Sequence, residues 1–178
     1  MIGRTLRTVG FALVGLGLVT ACDASNRPNE LSMDDVKPCE LISEHALQQL
    51  QVKAAPEPLS SPGGLDEEGA ACRYRPLTHQ LVTISKVTNH GIDRWTSGSF
   101  NGATFEEVAP IRGFPTIKVG RERERSGPHT GCALYTDVAD DRSLKVDVSE
   151  NHSEDQPVTC DTARQFADAA MKTLVGSG

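Results

Sequence analysis

Five cysteines, Cys22, Cys39, Cys72, Cys132 and Cys160, constrain this chain of 178 residues more than any other feature. The last four are spaced by 33, 60 and 28 residues, with no Cys-x-x-Cys among them. That spacing argues against a zinc ribbon or a thioredoxin-like redox motif. In an oxidising compartment four such cysteines form two disulfides, and four allow three pairings. Cys22 stands apart, just after the apolar run Val9 to Val19. That run is eleven residues long, whereas a membrane-spanning helix needs ~20. Arg4 and Arg7 precede it and small residues end it. This is the layout of a signal peptide.

Leu18-Val19-Thr20-Ala21-Cys22 resembles the lipobox of bacterial lipoproteins, in which the cysteine sulfur takes a diacylglyceryl group before cleavage. The resemblance implies a signal peptide over residues 1–21 and a mature chain anchored by lipid on Cys22, palmitate included, at the outer face of the cytoplasmic membrane. One acyl chain holds marginally and two or more hold stably, at ~0.8 kcal/mol per buried CH₂. Setting Cys22 aside also leaves an even set of four cysteines.

The remaining 157 residues suit one domain with its own core. Without Arg4 and Arg7 there are 16 cations against 24 acids, a net charge near −8. Such a balance argues against a nucleic-acid partner and against electrostatic adhesion to anionic lipid.

Residues 22–36 are polar and read as a tether. The 17 residues from Cys22 to Cys39 would span roughly 20–25 Å. The domain is expected over 37–176. Leu41, Ile42, Ala46, Leu47 and Leu50 predict a helix over 43–52 with Ser43 as N-cap. Residues 53–70, rich in Pro, Gly and acid, read as a mobile loop. Strands are expected at 71–75, 80–87, 104–108, 116–119, 132–138 and 143–149, and a short helix or loop around Trp95. The last strand puts Leu144, Val146 and Val148 inward and Lys145 and Asp147 outward. Ala163, Phe166, Ala167, Ala170, Met171 and Leu174 form the apolar stripe of a C-terminal helix. The fold class is α+β: one antiparallel sheet of about five strands, with an N-terminal and a C-terminal helix on one face and the other face partly open to water.

The lipobox, Pro38-Cys39-x-Leu41-Ile42, Cys72 opening a strand, Gly131-Cys132 opening another, and Cys160 leading the last helix are together similar to an actinobacterial cell-envelope lipoprotein family of unknown function. The resemblance covers residues 1–175. It departs at Val158-Thr159, where members often carry Pro beside the cysteine. It implies no activity and carries over no catalytic residue. The pairing Cys39–Cys160 and Cys72–Cys132 is expected, because the first two lie at helix starts and the other two on apolar strand faces. Loops of those lengths would each stabilise by roughly 4–5 kcal/mol. With five Phe, one Trp and two Tyr, the core needs that help.

The chemistry-bearing residues are sparse. His45, His79, His90, His129 and His152 have no metal-ligand spacing, and no nucleophile elbow is present. Asn89-His90 with Asp93 reads as a turn. Asp137 with Asp140-Asp141 reads as a solvated hairpin turn, lacking the ligand pattern of a calcium loop. Arg121, Arg123 and Arg125 alternate with Glu, as in an anion site or in a charged sheet edge that resists edge pairing. Trp95, Phe100 and Phe105 are candidates for an apolar groove or for packing. No cofactor or metal is expected. The function expected is a non-catalytic envelope domain binding a protein, lipid or small molecule. The alternatives are a cell-wall hydrolase or its accessory subunit, and the sensor domain of an envelope signalling system.

Overall fold

The computed structural model describes residues 26–64, 66–78, 80–98, 103–121, 131–150 and 159–177. The signal-peptide reading over 1–21, Cys22, His79, Phe100, Arg123, Arg125, His129 and His152 lie outside the described residues.

The chain forms a 3-10 turn at Pro38–Glu40, then α1 (Glu44–Gln49), β1 (Glu57–Leu59), β2 (Gly69–Tyr74), β3 (Gln80–Val87), α2 (Asp93–Thr96), β4 (Ala103–Ile111), β5 (Phe114–Arg121), β6 (Gly131–Ala139), β7 (Arg142–Glu150) and α3 (Thr159–Gly176). All seven strands join one antiparallel sheet in the order β1-β2-β3-β7-β6-β5-β4. Seven strands replace the five expected. The Pro- and Gly-rich stretch after α1 contains β1, and the two strands around Pro110-Gly113-Pro115 run on to meet in a tight hairpin. Arg112 (φ 51°) and Gly113 (φ 85°) make its turn, the left-handed pair that matches the twist of flanking strands.

Alternation sets the two faces. Cys72, Ile84, Val146 and Leu134 are register partners across β2, β3, β7 and β6, and all are buried on one face. Against them pack α3, through the whole stripe from Ala163 to Leu174, and the 3-10 turn. Ser43 caps α1 as expected, its hydroxyl accepting from the Ala46 N–H at 3.3 Å.

The disulfides differ from the expected pairing: Cys39 joins Cys72, and Cys132 joins Cys160. Sheet order gives the reason. β3 and β7 separate β2 from β6, so Cys72 and Cys132 stand at least three strand spacings, more than about 14 Å, apart, beyond the ~7 Å Cα limit of a disulfide. Each strand cysteine bonds instead to the segment above it, with a Cα–Cα distance of 5.1 Å in both cases. Their loops of 33 and 28 residues put the stabilisation at about 3.5 kcal/mol each.

The opposite face is also covered at its centre. The connection from β3 to β4 passes β7, β6 and β5 and carries α2, whose Trp95 packs on Tyr135 at 5.2 Å between centroids. The acidic loop before β2, expected to be mobile, is pinned there too. Asn89 Oδ1 accepts from the Glu68 N–H (2.9 Å), Asn89 Nδ2 donates to the Asp66 carbonyl (2.7 Å), and Ser85 Oγ donates to the Pro62 carbonyl (3.3 Å). Lys145, expected to face water, is buried beneath this loop.

The stretch 22–36 is not wholly a tether. Leu31 and Met33 are buried in the core cluster, and the Leu31 N–H donates to the Val138 carbonyl at 2.9 Å. Residues 26–33 form a strap along the end of the sheet, so the folded part starts before residue 37. Their alternation is too short to stand out in a polar stretch.

Candidate functional site

Two places gather polar groups. The first lies beneath the acidic loop, where one row crosses the sheet through Ser85, Lys145, Tyr135 and Ile117. Glu67 comes down on this row. Its carboxylate accepts from Lys145 Nζ at 2.9 Å and from the Tyr135 hydroxyl at 2.7 Å. The side chains of Lys145 and Glu67 are 7% and 2% exposed, and Nζ lies 5.5 Å from the Tyr135 ring centroid. Burial, and then the Glu67 charge, push the Tyr135 hydroxyl far above its ordinary pKa. Each of the three groups has its partner and is sealed by loop and α2, which is the arrangement of a structural network.

The second place is a cleft of about 980 Å³ at the end of the sheet where the strap enters. Ile92, Val108, Pro110, Pro115, Ile117 and Ala139 supply its apolar lining. Around them stand Asp93 and Thr96 of α2, Glu107 of β4, Asp137 of β6, and Asp140 and Asp141 of the β6–β7 turn. Asn26 and Arg27 close one side. Arg27 is the only cation among the lining residues, and it is already engaged. Its guanidinium donates to Asp137 Oδ1 at 2.8 Å and to Asp140 Oδ1, and reaches Glu30 at 3.1 Å. The Asp137 side chain is buried, so the acidic turn is not simply solvated as expected. Burial raises the Asp137 carboxyl above its ordinary 3.8, with Arg27 opposing the rise.

Two contacts from α3 hold the β4–β5 wall. Arg112 donates to Asp168 Oδ2 at 2.8 Å, and Arg164 donates to the carbonyls of Ala109 (2.8 Å) and Pro110 (3.2 Å). Gly113 passes so close to the strap that a Cβ there would stand 3.2 Å from Pro28 Cγ.

Arg27→Ala should cost about 1–3 kcal/mol at neutral pH, since it leaves a buried carboxylate without its donor. The folded pKa of Asp137 lies above its unfolded value. Ionising Asp137 therefore costs the fold: the cost is full above the folded value, shrinks as pH falls below it, and is gone below the unfolded value. Without Arg27 that value rises further. The deficit of the variant should thus shrink between about pH 7 and about pH 4, as urea melts at the two pH values would show.

The other sequence candidates lie elsewhere. Arg121 closes β5 at the end away from the cleft, and Arg123 and Arg125 are outside the described residues. Trp95 packs on Tyr135 while Phe105 is exposed on β4. His90 Nε2 lies 3.1 Å from the Asp66 carbonyl, and His45 is on α1. Among the described residues no group of three or more His, Cys, Asp or Glu is placed to hold a metal ion, and no helix is long and apolar enough to cross a membrane.

The family described as "Protein of unknown function (DUF3558)" matches residues 19–173. The chain belongs to this family. The match takes in all five cysteines, the strap and the cleft. No curated protein and no solved structure matches the chain.

Proposed function

We propose that this chain is an extracytoplasmic lipoprotein, anchored through lipid on Cys22 to the outer face of the cytoplasmic membrane, whose cleft binds a small molecule without catalysing its reaction. The observation that carries the reading is the position of the strap. Residue 26 lines the cleft, and the four residues back to Cys22 span at most about 14 Å. An anchor on Cys22 would therefore hold the cleft close to the bilayer surface, nearer than the 20–25 Å read from a tether running to Cys39.

Three further features support it. Residues 1–21 have the layout of an exported leader. Both disulfides suit an oxidising compartment. The cleft volume is in the range of small-molecule sites, with an apolar lining and a few polar groups.

Cys22→Ser should move the protein from the membrane fraction to the soluble fraction and remove the mass of the lipid from the mature chain. Unchanged partition and unchanged mass would overturn the anchoring.

A further inference from the structure

We infer that the cleft takes an organic cation with an apolar body; this names the ligand class of the binding site proposed above and rests on that reading. Five carboxylates line the cleft, Asp93, Glu107, Asp137, Asp140 and Asp141, against the single guanidinium of Arg27. Arg27 is committed to Asp137 and Asp140. No hydrogen bond or ion pair joins the carboxylates of Asp93, Glu107 or Asp141 to another described side chain. The lining thus keeps an uncompensated negative charge beside the apolar surface of Ile92, Val108, Pro115 and Ile117.

An anionic head group would meet five carboxylates in the lining and one cation, Arg27, that is already paired. A neutral apolar molecule would leave the acids unused. An alkylammonium can lay its apolar part on the β4–β5 wall and place its charge among Asp93, Glu107 and Asp141. Charges brought together beside a low-dielectric wall interact more strongly than in bulk water, and the acidic mature chain adds long-range attraction for a cation.

The chain contains a reporter. Trp95 is its only tryptophan, and it lies on α2 between Asp93 and Thr96, two cleft residues. The experiment titrates octyltrimethylammonium, octyl glucoside and octyl sulfate, all below micelle formation, into the exported chain carrying Cys22→Ser. Trp95 fluorescence and calorimetry follow binding. Saturable one-to-one binding of the ammonium is expected, at least about tenfold tighter than the glucoside, with the sulfate weakest and the ammonium affinity falling as salt is added. D93N/E107Q should bind the ammonium about tenfold more weakly and lose most of the salt dependence, with an unchanged urea melt showing that the variant is folded. Equal affinity for ammonium and glucoside would overturn the cation class and leave the cleft as a binding site. Absence of saturable binding by all three would overturn both.

Discussion

Replacing all four domain cysteines with alanine should abolish cooperative folding, and replacing either pair alone should lower the unfolding free energy by about 3.5 kcal/mol. Total stabilities are about 5–15 kcal/mol, so one bridge is a large fraction and two approach the whole. The two pairs should differ in what they release. Cys132–Cys160 fixes the first turn of α3 to β6, and α3 supplies Phe166, Ala170, Met171 and Leu174 to the core. Its loss should expose amides over the first turns of α3 to hydrogen exchange. Cys39–Cys72 fixes the 3-10 turn over β2, where the Tyr74 hydroxyl also donates to the Pro38 carbonyl at 2.7 Å. Its loss should loosen residues 38–50 and leave α3 protected. Denaturant melts and exchange on the two alanine pairs measure both effects. Identical exchange patterns would contradict the bridges found here.

Glu67→Ala should cost about 3–5 kcal/mol, because it strands the Lys145 ammonium in a dry interior. Lys145→Met should cost a similar amount by stranding the carboxylate, whose remaining donor is the Tyr135 hydroxyl. Glu67→Leu with Lys145→Met removes both charges and should cost far less than the sum of the two single changes. A denaturant double-mutant cycle measures this coupling. Additive single effects would show that Glu67 and Lys145 do not face each other in a desolvated site.

The parts of the fold visible in the sequence were those with a long, regular period. Leu144, Val146 and Val148 mark β7, and the stripe from Ala163 to Leu174 marks α3; all are buried. The second face was not visible, because its buried row sets Tyr135 beside Ser85 and Lys145, residue types that usually meet water. Lys145 can be buried only because Glu67 arrives from another part of the chain, and nothing in Asp66-Glu67-Glu68 marks the middle acid. The disulfide pairing depended on strand order, which alternation does not encode. The cleft depended on Arg27 and the strap, where Leu31 and Met33 are two apolar residues in a polar segment. On the proposed Cys22 anchor, the strap sets which end of the domain would face the membrane.

Energy transfer from Trp95 to a dansyl-labelled lipid in neutral vesicles addresses the anchored cleft most directly. The lipidated chain should bind the vesicles and transfer efficiently, since α2 lines the cleft at the end from which Cys22 lies only four residues away; Cys22→Ser should neither bind nor transfer. A lipidated chain that binds the vesicles while Trp95 emission stays unchanged would place the cleft away from the membrane and contradict the proposed role.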